Sequence, residues 1–247
     1  MFPIRDHNPS ERVAFVTYSL MAINIGIWIY GALYLTSDAA LNRLYSDYAM
    51  IPAKVTAGDG LSGLFTSIFL HAGFLHLAGN MLFLFIFGDN MEDEMGHIPF
   101  LIFYITCGVA ASLGQWLAGP YSPVATVGAS GAIAGVMGGY LLLFPRAKVD
   151  VLLVLIIIIR IIPIPAWVVL GMWFAIQLFN GYGSDISGGG VAYWAHIGGF
   201  VAGLALTIPL WVRRGAMRFW VRTDGHPPHP EARYPIVQTR IPRVRRR

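Results

Sequence analysis

The sequence predicts an all-α, polytopic membrane protein built as a bundle of six transmembrane helices. Three observations predict it. Hydrophobic residues make up 56% of the 247 positions and charged residues only 12%, against about 25% charged in a typical globular domain. The mean hydropathy is +0.61. The apolar residues also fall into runs of span length, with most charges between them or after them. Thirteen acidic and seventeen basic residues cannot cover the surface of a folded soluble protein of this size. A soluble globular domain, a disordered chain and a disulfide scaffold are thereby excluded, the last because Cys107 is the sole cysteine.

A span needs about 20 mostly apolar residues. Val13 to Leu35 carries no charge and is the first span, too long for a signal-peptide core. His71 to Phe87 is the second, short and with two histidines. Ile98 to Leu117 is the third, and the glycine-rich Val127 to Phe144 the fourth. Val191 to Val212 is the last. Between these lies Val151 to Phe179, interrupted by Arg160, Pro163 and Pro165. The fifth span is expected from Pro163 to Phe179, with the β-branched run Val149–Ile162 before it as an extended or interfacial segment. Residues 1–212 are thus one membrane-embedded domain. Residues 213–247, with five prolines among basic and polar residues, form a cytoplasmic tail expected to be disordered.

Orientation follows the excess of Lys and Arg on cytoplasmic segments. Six spans put both termini on one side. If that side is the cytoplasm, fifteen of the seventeen basic residues lie inside, and only Arg43 and Lys54 lie outside. The expected location is therefore the plasma (cell inner) membrane, with both termini cytoplasmic and Asp89–Glu94 on a cytoplasmic turn. The basic charge fits this topology, so nucleic acid is not an expected partner. The loop Thr36–Leu70 falls outside and is unusually long, as functional loops often are.

Strongly polar groups inside a membrane are functional candidates by default. Here they are His71, His76 and Asn80 on the second span, Ser130 at the start of the fourth, and His196 near the start of the sixth. All three span ends face outside, so these groups share one depth. Ser130 lies in Gly128-Ala129-Ser130-Gly131, where glycines permit a tight entry into a helix. Alone, that tetrapeptide reads first as a serine N-cap or a small residue at a helix contact. Gly199 and Gly203 follow His196 at i+3 and i+7 and share its helical face. That face can press on the glycines of the fourth span and bring the imidazole to the Ser130 hydroxyl as a general base. His76 and Asn80, at i and i+4, share a face and can both donate to a developing oxyanion, or serve as interhelical polar glue. The spacing of His71 and His76 does not suit two metal ligands on one helical face, and the spans carry no carboxylate, so neither metal nor cofactor is expected.

Together these motifs resemble the rhomboid family of intramembrane serine proteases. The resemblance covers about Leu61 to Leu206 and rests on His71-x4-His76-x3-Asn80, Gly128-Ala129-Ser130-Gly131 and Ala195-His196-x-Gly-Gly on these three spans. It implies a rhomboid-like six-helix bundle acting as a serine endopeptidase, with Ser130 as nucleophile and His196 as base. His76, Asn80 and the Ser130 backbone N–H would form the oxyanion hole. His71, Gly128, Gly131 and Gly199 would be site-adjacent or structural. The substrates would be single-span membrane proteins, cut in or near the bilayer with water entering from the extracytoplasmic side.

Two positions depart from the family pattern. Ser62-Gly63 stands near where many members carry Trp-Arg. Ala134 stands where many carry an aromatic ring under the histidine, so the orientation of His196 has no evident source. In the family the fifth span and the loop before the sixth are thought to admit substrate, here around Trp167, Trp173, Phe174 and Gly181–Gly190. Two other readings remain open: a non-catalytic rhomboid-like protein that retains unstable transmembrane helices, and a small transporter or channel. Oligomeric state is not readable from the sequence.

Overall fold

A computed structural model describes residues 2–155, 158–185, 188–232 and 234. The first helix, α1 (Phe15–Tyr34), follows a short strand, β1 (Phe2–Asp6). The long loop is mostly helical in short pieces: α2 (Asp38–Tyr48), α3 (Pro52–Thr56), α4 (Gly63–Thr66) and a 3-10 turn at Ser67–Phe69. A Cβ on Gly63 would lie inside contact distance of the Ala49 carbonyl, so the loop has no room for a side chain at Gly63, near where many members of the resembled family carry Trp-Arg. Then come α5 (Phe74–Met95), α6 (His97–Ala118) and α7 (Ser130–Leu143). The hairpin β2 (Lys148–Leu155) and β3 (Ile158–Pro165) leads into α8 (Ala166–Gly183), α9 (Tyr193–Arg213) and α10 (Met217–Thr223).

The bundle is organised around α7. Every residue from Gly131 to Tyr140 is buried, and α5, α6, α8 and α9 all contact this helix. The seam with α9 is backbone against backbone. A Cβ on Gly199 would overlap the Gly131 carbonyl, and one on Gly203 the Gly135 carbonyl. Only glycine lets two helices approach so closely. This seam sets the separation between Ser130 and His196.

Four helices, α1, α5, α6 and α9, are long and apolar enough to cross a membrane alone, against the six spans of the sequence reading. α7 is apolar but has 14 residues, about 21 Å at 1.5 Å per residue. α8 has 18 residues, and its second half carries Gln177, Asn180 and two glycines.

The all-α expectation is corrected by a three-stranded antiparallel sheet in the order β1-β2-β3. Of the expected extended run Val149–Ile162, the described residues 149–155 and 158–162 are extended, because β-branched side chains suit a pleated ladder; residues 156 and 157 lie outside the described residues. β2 and β3 pair from Lys148↔Pro165 to Leu155↔Ile158. Pro163 and Pro165 sit on β3, an edge strand, where a missing N–H costs no ladder bond. β1 pairs with β2 from Phe2↔Leu152 to Asp6↔Val149, with an irregularity between Pro3 and Arg5. That pairing joins residues far apart in sequence and has no local signal.

The acidic cluster also lies elsewhere than expected. Asp89–Glu94 is not a turn but the end of α5, which stops only at Gly96, with a φ of +81°. Acids at a helix C-terminus oppose its dipole. Here the start of α1 compensates one of them: Glu92 accepts from the N–H of Val16 and Thr17 and from the Thr17 hydroxyl, at 2.7–2.8 Å.

Beyond Arg213, where a disordered tail was expected, the described residues are tied to the body. Trp220 Nε1 donates to the Leu142 carbonyl, Lys148 pairs with Glu231, and the Tyr234 hydroxyl donates to the Asp6 carbonyl. Residues from 235 onward, also part of that expectation, lie outside the described residues.

Candidate active site

Ser130 opens α7, after Ala129 in helical conformation and Gly128 at φ +128°. Gly128 is required there twice over. Its φ is in the left-handed half of backbone space, and a Cβ would fall 2.8 Å from the His76 ring. The N–H groups of Ser130, Gly131 and Ala132 stand in the first turn, where no preceding turn of the helix accepts them.

The seam of α7 and α9 brings the sequence-predicted pair together: His196 Nε2 is 2.9 Å from Ser130 Oγ. Both side chains are half-buried. His76 lines the same recess from α5. Asn80 is buried one turn further on, and its Nδ2 donates to the His76 carbonyl at 2.8 Å. A primary amide has a second N–H, so Asn80 keeps one donor beyond this bond. His71 is buried beside His76, ring centroids 5.2 Å apart, with its Nε2 3.5 Å from the Ala129 N–H. It thus adjoins the turn that delivers Ser130.

Two cavities meet at this pair. One of about 530 Å³ lies at the end of the bundle and is lined by His76, Gln115, Ser130, Tyr193, Trp194 and His196 among others. A second, of about 220 Å³, runs between α5 and α8 from Ser130 and His196 past Asn80 and Trp173 to Leu75, which is largely exposed. The Ser130–His196 pair is therefore reachable from the bundle end and from its side.

Sequence reasoning missed two glutamines and placed one ring, Trp173, only in the region thought to admit substrate. Gln177 Oε1 is 2.8 Å from His196 Nδ1. Gln115 Oε1 accepts the Ala195 N–H at 3.2 Å, fixing the start of α9. The Trp173 ring lies 5.6 Å from that of His196. A signal was present: Gln177 is the one primary amide between Ala166 and Phe179, and buried amides in apolar helices need partners.

The arrangement suits acyl transfer: a hydroxyl with an imidazole on it, neutral donors around it and, among the described residues, the amide of Gln177 rather than a carboxylate at the other ring nitrogen. Comparison with known proteins gives the family. The Rhomboid domain model matches residues 59–213. The mitochondrial rhomboid protein 1 of Saccharomyces cerevisiae is 30% identical over 204 residues, 76% of this chain and 51% of that protein. The rhomboid protease GluP of Bacillus subtilis is 34% identical over 152 residues, 59% of this chain and 26% of its own length. A putative rhomboid protease of the same organism, YdcA, is 42% identical over 78 residues, 32% of this chain and 39% of its length. The chain spans about half or less of the length of these relatives. From the domain match and the four long apolar helices, the chain is a multi-pass integral membrane protein that belongs to the rhomboid family.

Proposed function

We propose that this protein is an intramembrane serine endopeptidase acting on single-span membrane proteins through a Ser130–His196 dyad. The observation that carries the reading is the 2.9 Å approach of His196 Nε2 to Ser130 Oγ at the junction of two cavities. His196 takes the hydroxyl proton as Oγ attacks the scissile carbonyl, then gives it to the departing amine. Water entering by the end cavity hydrolyses the acyl-enzyme in a second, mirrored step. The Ser130 N–H, His76 and the second N–H of Asn80 bear the oxyanion. The side cavity between α5 and α8 takes an extended stretch of substrate, since a helical peptide hides its carbonyls.

In this reading α7 and α8 complete six spans. Both termini face the cytoplasm, as the distribution of basic residues favours, and the dyad faces the other side. α7 is about a third shorter than a hydrocarbon core of roughly 30 Å, so the nucleophile sits below the membrane surface, with water above it.

The test is cleavage of a single-span substrate by purified protein. Wild type cleaves, Ser130→Ala does not, and a fluorophosphonate labels only the former. Capture of the substrate without cleavage, unchanged in His196→Ala, would replace the protease with a protein that retains unstable helices.

A further inference from the structure

The two nitrogens of His196 have different partners, and this assigns its tautomer. For Nε2 to accept the Ser130 proton it must present a lone pair, so the hydrogen of the neutral ring sits on Nδ1. A buried N–H needs an acceptor. Gln177, itself 6% exposed, presents Oε1 at 2.8 Å from Nδ1. The orientation of its amide is fixed by a second contact. The other end lies 3.2 Å from the Trp173 carbonyl, which can only accept, so that end is the NH₂ and the oxygen faces the imidazole. Two hydrogen bonds thus determine both the amide and the ring.

Trp173 precedes Gln177 by four residues and lies on the same helical face. Its indole is tilted 36° to the His196 ring and is backed by Phe200 at 6.2 Å. The pair therefore covers one face of the imidazole and holds one edge. Ala134, on α7, offers no ring to do either. α8 supplies from the opposite side what α7 lacks.

We propose that Gln177 is a positioning residue that holds His196 in the Nδ1–H tautomer, with Trp173 fixing the plane of the ring. The proposal rests on the reading of Ser130 and His196 as nucleophile and base. It makes the site a relay of three residues, in which a neutral amide occupies the place of the carboxylate in soluble serine proteases. The amide oxygen accepts the Nδ1 hydrogen bond but takes no proton. The proton from Ser130 resides on Nε2 until it passes to the leaving amine. A neutral partner suits the location, because an unpaired carboxylate in an apolar bundle is costly.

The test uses the full-length protein in detergent with a single-span substrate. Gln177→Leu keeps the bulk and removes the acceptor. Its kcat should fall about 10²-fold, within the range that general-base catalysis contributes, with KM unchanged. Gln177→Glu keeps an acceptor oxygen and should stay within about tenfold of wild type on the same grounds. In histidine ¹⁵N spectra, His196 should show a protonated Nδ1 in wild type and lose that preference in Gln177→Leu. A wild-type spectrum with the proton on Nε2 overturns the proposal, as does an unchanged kcat in Gln177→Leu. A Gln177→Leu variant that alters KM and kcat together, and that Glu does not rescue, assigns Gln177 to packing instead. The spectra can be recorded in a Ser130→Ala background, where no catalysis is needed. If Ser130→Ala cleaves normally the nucleophile assignment fails, while the tautomer is still read directly.

Discussion

The two ends of this bundle hold polar networks of opposite kinds. At the Ser130 end the partners are a hydroxyl, the imidazoles of His71, His76 and His196, and the amides of Asn80, Gln115 and Gln177, beside two cavities. At the other end they are charges, mostly paired. Asp150 takes Arg5 at 2.6 Å and His7 at 2.9 Å, Glu92 takes His97 and the start of α1, and Arg214 pairs with Glu94. The neutral network holds no charged side chain in an apolar medium at rest. The charged network ties the N-terminal strand, the hairpin and the proximal tail to the helix ends. Chemistry and cohesion are thus separated along the bundle, and substitutions at the two ends should have different consequences.

The largest expected difference is at Ser130. Ser130→Ala should lower cleavage of a single-span substrate to background while shifting the midpoint of thermal unfolding in detergent by no more than a degree or two. A large loss of stability would mean that the Ser130 end also carries the fold. Next is Asn80→Ala. It should reduce kcat on the order of 10²–10³-fold if its free N–H reaches the oxyanion, with little change in KM; a wild-type rate would assign Asn80 to the helix contact alone.

At the opposite end the pattern should reverse. Glu92→Ala leaves the N–H groups of Val16 and Thr17 buried without their acceptor, a loss of about 3 kcal/mol by the usual cost of orphaned buried donors. Denaturant unfolding should register it, while the folded fraction keeps its kcat. If activity falls and stability does not, the two ends are coupled.

The smallest effect is a pH dependence. Asp6 is buried, and desolvation lifts its carboxyl to about 8 despite the hydrogen bond from Tyr140. A folded value raised above the unfolded one stabilises at low pH, and that contribution is lost as pH rises toward 8. Protection of the β1 amides, corrected for intrinsic exchange, should therefore fall between about pH 4 and pH 8, and Asp6→Asn should flatten the change. Burial alone would lift Asp150 too, but hydrogen bonds from His7 and Arg5 hold it below the ordinary carboxylate value. Its contribution has the opposite sign and is lost only in acid.

Much of the site was legible in the sequence because the membrane makes polar groups expensive. Ser130, His76, Asn80 and His196 stood out against apolar spans, and the glycines at 199 and 203 marked a helix face able to approach another closely. The same logic reached Gln177 and Gln115 only in hindsight. An amide at a span end reads as an ordinary interfacial residue until its partner is known. The β-branched run was legible as extended, but its pairing was not. The β1 strand has five residues and lies more than 140 positions from its partner, so no local pattern announces it.

The sequence by itself determined the class: a bilayer protein, its order of apolar segments, and a serine and histidine at the heads of two glycine-lined helices. Scarcity of charge and the periodicity of small residues are local properties, and they survive without coordinates. Only the tertiary structure decided which side chains meet. It set the 2.9 Å approach of Ser130 and His196, the glutamine behind the imidazole, and the sheet that gathers the N-terminus, the hairpin and the tail. Those contacts depend on how helices pack, and packing is fixed by the whole set of neighbours around α7 rather than by any one segment.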